Sequence, residues 1–203
     1  MESKTFEIKG FHPPKTALGA TKMNTLVEAA EKLFSSASFS AVSIQDICKE
    51  AHTAVGTFYI YFESKTDLYR YLMESYKQEI TNRLAKSIVN CKTRPEIERE
   101  GIKCFVKFAV EKPNVYNIIW GSLAVEKQMF EDYYVSFASR YAKALSRAKH
   151  ELKNDDVITI AYMLMGITNF LGLRAIFENM SDEEINNAID TAIMPILEKG
   201  LFI

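Results

Sequence analysis

The stretch Ser43–Lys65, SIQDICKEAHTAVGTFYIYFESK, decides how the chain is read. Ser43 with Asp46 three residues on makes a capping box. A helix therefore opens at Ile44 and runs to Glu50, with Ile44, Ile47 and Ala51 facing inward. Ala51-His52-Thr53 is a tight turn. A second short helix follows from Ala54 to about Ile60, anchored on the first by Phe58 and Phe62. Ser64 and Asp67 form another capping box and open a long helix at Lys65. Two short helices about a short turn, with an aromatic exit into a long helix, make a helix-turn-helix.

The second helix carries chemistry suited to a duplex groove. Glycine in a helix interior costs roughly 1 kcal/mol against alanine, so Gly56 asks for a reason. Small Ala54 and Gly56 let the backbone come close to a partner. Val55 and Thr57 suit a thymine methyl or a base edge. Tyr59 and Tyr61 offer hydroxyls to phosphates, and Lys65 adds a cation at the start of the long helix. The candidate DNA contacts are Lys22, Ser43, Gln45, Thr53, Ala54, Val55, Gly56, Thr57, Tyr59, Tyr61 and Lys65. The charge balance does not make this segment a basic patch. Residues 1–64 hold six lysines and no arginine against seven acids. Recognition must then rest on local fit rather than bulk attraction.

Working outward, residues 1–20 carry Gly10, Pro13, Pro14 and Gly19 among lysines, with no apolar period, and read as a flexible basic tail. Lys4, Lys9, Lys15 and Lys22 could follow a phosphate backbone. Thr21 caps a first helix running to about Ala37, with Leu26, Val27, Ala30, Leu33 and Phe34 on one face. The domain division expected is 21–64 for the helix-turn-helix and 65–203 for a helical remainder. The long helix runs to about Cys91, with Leu68, Leu72, Tyr76, Ile80, Leu84 and Ile88 inward. Thr93-Arg94-Pro95-Glu96 opens the next, which Pro113 ends. Helices follow over 114–125, from Lys127 to about Glu151, from Val157 to about Asn179 behind the cap Asn154-Asp155-Asp156, and from Ser181 to near Gly200. The class is all-α, with about nine helices.

Composition narrows the function. The chain has 203 residues, 8 Gly, 5 Pro and a net charge of -1, which favours long helices and excludes a bulk polyanion binder. Cys48, Cys91 and Cys104 are far apart and have no histidine at ligand spacing, so they read as free thiols, with no metal site and no cofactor. The N-terminus lacks an apolar signal core, and the apolar run Ile160 to Leu173 is too short to span a bilayer, so a cytoplasmic protein is expected. A helical enzyme fails on parts. There is no nucleophile beside a histidine, no inward pair of carboxylates and no phosphate loop.

Residues 22–68 closely resemble the TetR (tetracycline-repressor-like) family of bacterial transcription regulators. The resemblance lies in Ala29-Ala30, Leu33-Phe34, Phe39, Val42-Ser43-Ile44 and Asp46-Ile47. Its sharpest part is Gly56-Thr57-Phe58-Tyr59-Ile60-Tyr61-Phe62 followed by Ser64-Lys65 and Asp67-Leu68. Two positions depart from the pattern. His52 stands where the family has a turn glycine, and Ala54 where it often has Ser or Thr, leaving Thr53 to cap the second helix. The resemblance implies a homodimer that binds a palindromic operator, represses transcription and lets go when a small molecule enters the C-terminal module. Half-sites would lie roughly 34 Å apart. The implied dimer face is Thr168, Gly172, Ala175, Ile176, Ile189, Ala192, Ile193, Ile196 and Leu197. The implied ligand lining is Tyr76, Phe105, Phe108, Tyr116, Trp120, Tyr133, Phe137, Tyr141, Met163, Asn169 and Phe170, which suits an apolar or aromatic effector. No buried charge cluster is expected there. The alternative is a relative with weak DNA binding that acts through a protein partner, suggested by Ala54 and the acidic balance of residues 1–64.

Overall fold

The computed structural model describes residues 8–203, so the expectation for Lys4 lies outside the described residues. The described chain is all-α. Its order is α1 (Ala17–Ser36), a 3-10 turn (Phe39–Ala41), α2 (Ile44–Glu50), α3 (Val55–Tyr61), α4 (Lys65–Ser87), α5 (Arg94–Glu111), α6 (Asn114–Val125), α7 (Lys127–Ser146), a second 3-10 turn (Lys149–Glu151), α8 (Val157–Phe177), α9 (Asp182–Ala188) and α10 (Met194–Gly200). A π-helical segment, Ile189–Ile193, joins α9 to α10 without a break.

The caps read from the sequence form. Ser43 Oγ accepts the Asp46 N–H at 3.1 Å, and Asp46 returns by accepting the Ser43 N–H at 2.9 Å. Thr93 with Glu96 and Ser181 with Glu184 repeat that box, and Asp156 accepts the Thr159 N–H. Each fixes a helix start by pairing N–H groups that have no partner within the helix.

Other boundaries move. The first cap is Thr16, not Thr21: its side chain accepts the Gly19 N–H at 3.0 Å, and α1 begins at Ala17. Residues 10–12 are not a free tail. Phe11 stacks on Tyr71 at 4.7 Å and Phe62 at 5.6 Å, while the His12 N–H donates to the Tyr61 carbonyl and the Glu63 N–H to the Gly10 carbonyl. Gly10 has φ +71°, and a Cβ there would meet Asp67 Cγ at 2.4 Å, so the segment closes only with glycine. A single aromatic among Gly and Pro shows no period, which is why its docking was not readable. α4 stops at Ser87, short of Cys91, and the next residue in the apolar direction, Val89, is 73% exposed with nothing to pack on.

Packing divides the chain into two compact units. The first comprises the chain up to Lys77 with Asn114–Glu131, and the second Gln78–Pro113 with Asp132–Ile203. The sequence placed a division at Ser64/Lys65. The packing boundary instead falls inside α4, and α6 joins the first unit, packing on α1. Leu26, Ile47, Phe58, Phe62, Leu68 and Leu72 are fully buried in the first unit's core. The second unit is built on α5 against α8, with Ile102, Val106, Leu145, Leu164, Ile185 and Leu197 at its centre.

α8 was expected from Val157 to about Asn179, with its apolar run Ile160–Leu173 buried and too short to span a bilayer; it ends at Phe177. It is 21 residues, long and apolar enough by length and composition to cross a membrane, and only part of its surface is buried. Ile160, Leu164, Leu171 and Ala175 enter the core, whereas Met163, Phe170 and Phe177, seven residues apart, are 45%, 66% and 75% exposed.

Candidate nucleic-acid interface and internal cavity

α2 and α3 are held by a shared apolar seam, and the turn between them sets what α3 presents. His52 takes φ 52°, the left-handed conformation expected where glycine is usual. The Thr53 N–H donates to the Cys48 carbonyl at 2.9 Å and closes the turn. Ala54 is the N-cap of α3 and makes no side-chain capping bond, so Thr53 does not take over that task. Phe58 is fully buried and fixes the helix roll. Val55 and Tyr59, four apart, face outward at 37% and 52% exposure, and a Cβ on Gly56 would meet nothing within 4 Å. Thr57 is half-buried beside them; Lys22, Gln45 and Ala54 are exposed, and Ser43 and Thr53 are half-buried. Ile60, not anticipated, is 60% exposed on the face of Gly56. Its signal in the sequence was its failure to fit the Phe58–Tyr61–Phe62 inward set.

Two expected DNA contacts are corrected. Tyr61 is 4% exposed and packed inward, so its hydroxyl is withdrawn from any phosphate. Lys65 donates to the Phe39 carbonyl at 2.6 Å and to the Val42 carbonyl, with its ammonium 4.2 Å from the Phe39 ring centroid. Burial lowers its pKa, partly offset by Asp46. Lys65 ties the connection between α1 and α2 to the first turn of α4, a structural role.

The second unit encloses a cavity of about 300 Å³ between α4, α5, α7 and α8. Leu84, Ala85 and Ile88 of α4, Ile97, Gly101, Ile102 and Phe105 of α5, and Met165 of α8 form most of its apolar wall, with Tyr133, Tyr134, Phe137 and Ala144 from α7. Set in this wall is a buried ion pair. Glu98 is 2% exposed and Arg94 4%. Arg94 Nε donates to Glu98 Oε1 at 2.7 Å, its Nη2 reaches the same oxygen, and the Tyr141 hydroxyl donates to Glu98 Oε2. Burial pushes the Glu98 carboxyl up despite Arg94, and burial followed by the Glu98 charge pushes the Tyr141 phenol far up.

The profile described as bacterial regulatory proteins, tetR family, matches residues 26–72, the span from α1 through the helix-turn-helix into α4. Residues 26–72 therefore carry a TetR-family DNA-binding domain. The chain is 35% identical over 78 residues to YuxN of Bacillus subtilis strain 168, described as an uncharacterized HTH-type transcriptional regulator. That match covers 38% of this chain and only 25% of YuxN, so the likeness spans about a quarter of that relative. Solved structures share the fold across nearly the whole chain. A TetR-like transcriptional regulator from Rhodococcus sp. RHA1 gives a TM-score of 0.73 at 16% identity, covering 93% of this chain and 100% of its own. The fatty acid degradation regulator FadR of Bacillus halodurans gives 0.72 at 14% identity, covering 88% and 95%. The family is one of DNA-binding transcriptional regulators.

The expected ligand lining is partly displaced. Phe105, Tyr133, Phe137, Tyr141 and Asn169 line the cavity. Phe108 is buried elsewhere, beneath Arg83, and Tyr76 and Tyr116 are buried in the first unit. Trp120, Met163 and Phe170 are exposed at 48%, 45% and 66%. The expectation of no buried charge is overturned by Arg94 and Glu98. Their spacing with Gly101 and Phe105, steps of four, three and four on one face, was the signal available. The expected dimer face is also revised. Thr168, Gly172, Ala175, Ile189 and Leu197 are buried within the chain's own packing, and Thr168 lines the cavity. Ile176 and Ile193 are half-buried, and Ala192 and Ile196 are exposed. α8 is apolar on every side, so periodicity could not say which side the core takes.

Proposed function

We propose that this regulator is a cytoplasmic repressor that binds a palindromic operator as a homodimer and releases it when a small apolar or aromatic molecule enters the cavity. The observation that carries this reading is one helix with two duties. α4 opens directly after the exposed α3, and its later residues Thr81, Leu84, Ala85 and Ile88 line the cavity. A ligand favours release only by its difference in affinity for the two forms. Because α4 runs from the exit of the helix-turn-helix at Lys65 to the cavity, a change of its course there would reach the end of α3. Val55, Gly56, Thr57 and Tyr59 would enter the major groove, Val55 and Thr57 at base edges and Tyr59 at a phosphate. The open apolar row Met163, Phe170 and Phe177 with Ile196 would be covered by the second copy.

A mobility-shift titration of the intact protein on the DNA upstream of its own gene, with salt varied, tests the reading. A sequence-specific shift that persists at moderate salt is expected. Its absence overturns the repressor reading and favours a protein partner, which the acidic balance of residues 1–64 would suit.

A further inference from the structure

The cavity wall has an imbalance of charge that selects a ligand class. Arg94 and Arg140 are the cations lining it and Glu98 is the acid. Both Glu98 oxygens are engaged, one by Arg94 and the other by Tyr141. Arg94 is not fully engaged. Its Nε and Nη2 reach Glu98 and the guanidinium also interacts with the Tyr141 hydroxyl and ring, while among the described residues Nη1 forms no hydrogen bond of its own, although the side chain is almost wholly buried. Arg140 makes no ion pair among the described residues; it donates to Thr81 Oγ1 at 3.3 Å and lies over the Phe137 ring.

A buried guanidinium with unmet N–H groups on a cavity wall is a receptor for an acceptor oxygen. Its fork fits a carboxylate better than any neutral group. An ammonium head finds no carboxylate with a free oxygen, since no other acid lines the space. A neutral alcohol offers one weak acceptor and leaves the positive balance uncorrected. Thr81, Tyr133, Tyr134, Thr168 and Asn169 add uncharged polar groups, and the remainder of the wall, including Leu84, Ile88, Phe105 and Phe137, is apolar.

We propose that the effector is an amphiphilic monoanion, a carboxylate on an apolar body, with its head group bound by Arg94 in the field of Arg140. This deepens the regulatory reading above and rests on it for the word effector. Two carboxylates then share Arg94. Burial has already pushed Glu98 toward its neutral form, so Glu98 is the acid that yields its charge to the newcomer.

Calorimetric titration of the full chain with sodium decanoate, decan-1-ol and decylamine tests this. Decanoate should bind about tenfold or more tighter than decanol, the factor that one charge-assisted hydrogen bond supplies. Arg94→Gln alone would strand a buried charge and could unfold the protein, so the informative variant is the charge-neutral R94Q/E98Q, checked by its thermal melt. Its preference for decanoate over decanol should fall about tenfold, to what Arg140 alone supports, and an undiminished preference counts as retained. Glu98→Gln should tighten decanoate, because it removes the competing carboxylate; a merely structural Glu98 would not do this. Decanol or decylamine binding as tightly as decanoate, preference retained in R94Q/E98Q, or no binding of any of the three overturns the proposal. A mobility shift run in parallel separates the two readings. Decanoate binding with no effect on a formed DNA complex sinks the regulatory role and leaves the ligand class standing. Release of DNA by decanol but not decanoate sinks the ligand class alone.

Discussion

His52 holds φ 52° in the turn of the helix-turn-helix, with its side chain exposed. A non-glycine residue there pays roughly 1–2 kcal/mol, while glycine loses roughly 0.5–1 kcal/mol more chain entropy on folding. His52→Gly should therefore raise stability by roughly 0.5 kcal/mol, read as a shift of the urea midpoint. A lower midpoint would mean the imidazole contributes a contact that outweighs the strain. At Lys65 the expectation is opposite to that for a DNA contact. Lys65→Met keeps the apolar stem but leaves the Phe39 and Val42 carbonyls without their ammonium, costing about 1–3 kcal/mol in a chemical melt. DNA affinity measured under folding conditions should change little; a large loss of affinity with unchanged stability would restore Lys65 to the interface. Position 52 was legible because the turn demanded a positive φ. Lys65 was not, because a lysine at a helix start reads the same whether it faces a phosphate or two carbonyls.

At the scale of helices, the caps make a pH prediction. Hydrogen bonds from the Ser43 side chain and backbone hold Asp46 below its ordinary 3.8. Backbone N–H groups of Lys92 and Thr93 hold Glu96 below 4.5, and those of Ser181 act likewise on Glu184. In each case the unfolded chain binds the proton more readily than the native one. The stability from these caps is full above the ordinary value and is lost as pH falls through the lower native value. Glu98 runs the other way, since its native carboxyl is raised, and stability from it declines as pH rises above 4.5. The thermal midpoint should fall on acidification below about pH 4.5, and Ser43→Ala should flatten part of that fall by removing the bonds that lower Asp46. An acid limb identical in Ser43→Ala would discount that cap. These helix starts were legible because capping chemistry is local and written in three or four residues. The faces of α8 were not. An all-apolar helix carries no period, and only packing against α5 reveals that Leu164 and Leu171 turn inward while Phe170 stays out. The cavity was half legible for the same reason. Its aromatics stood out, whereas the buried charge of Arg94 and Glu98 was not anticipated.

For the molecule as a whole, the proposed function requires two copies and a fit that bulk charge does not provide. Glutamates at Phe170 and Phe177 would place charges in the proposed interface and should raise the dimer dissociation constant roughly 30-fold or more, measured by sedimentation. An unchanged dimer would move the interface to another face. Because residues 1–64 carry a slight negative balance, nonspecific attraction to DNA should be weak, and specific contacts from α3 must supply discrimination. Substituting Thr57 by alanine should alter which bases are preferred, whereas Tyr59→Phe should weaken all sequences alike. The most direct test is an anisotropy titration of the intact protein on a labelled duplex from its own upstream region and on a shuffled duplex of equal composition. At about 150 mM salt, affinity for the upstream duplex should be roughly a thousandfold higher. Equal affinity for the two duplexes would contradict the proposed function.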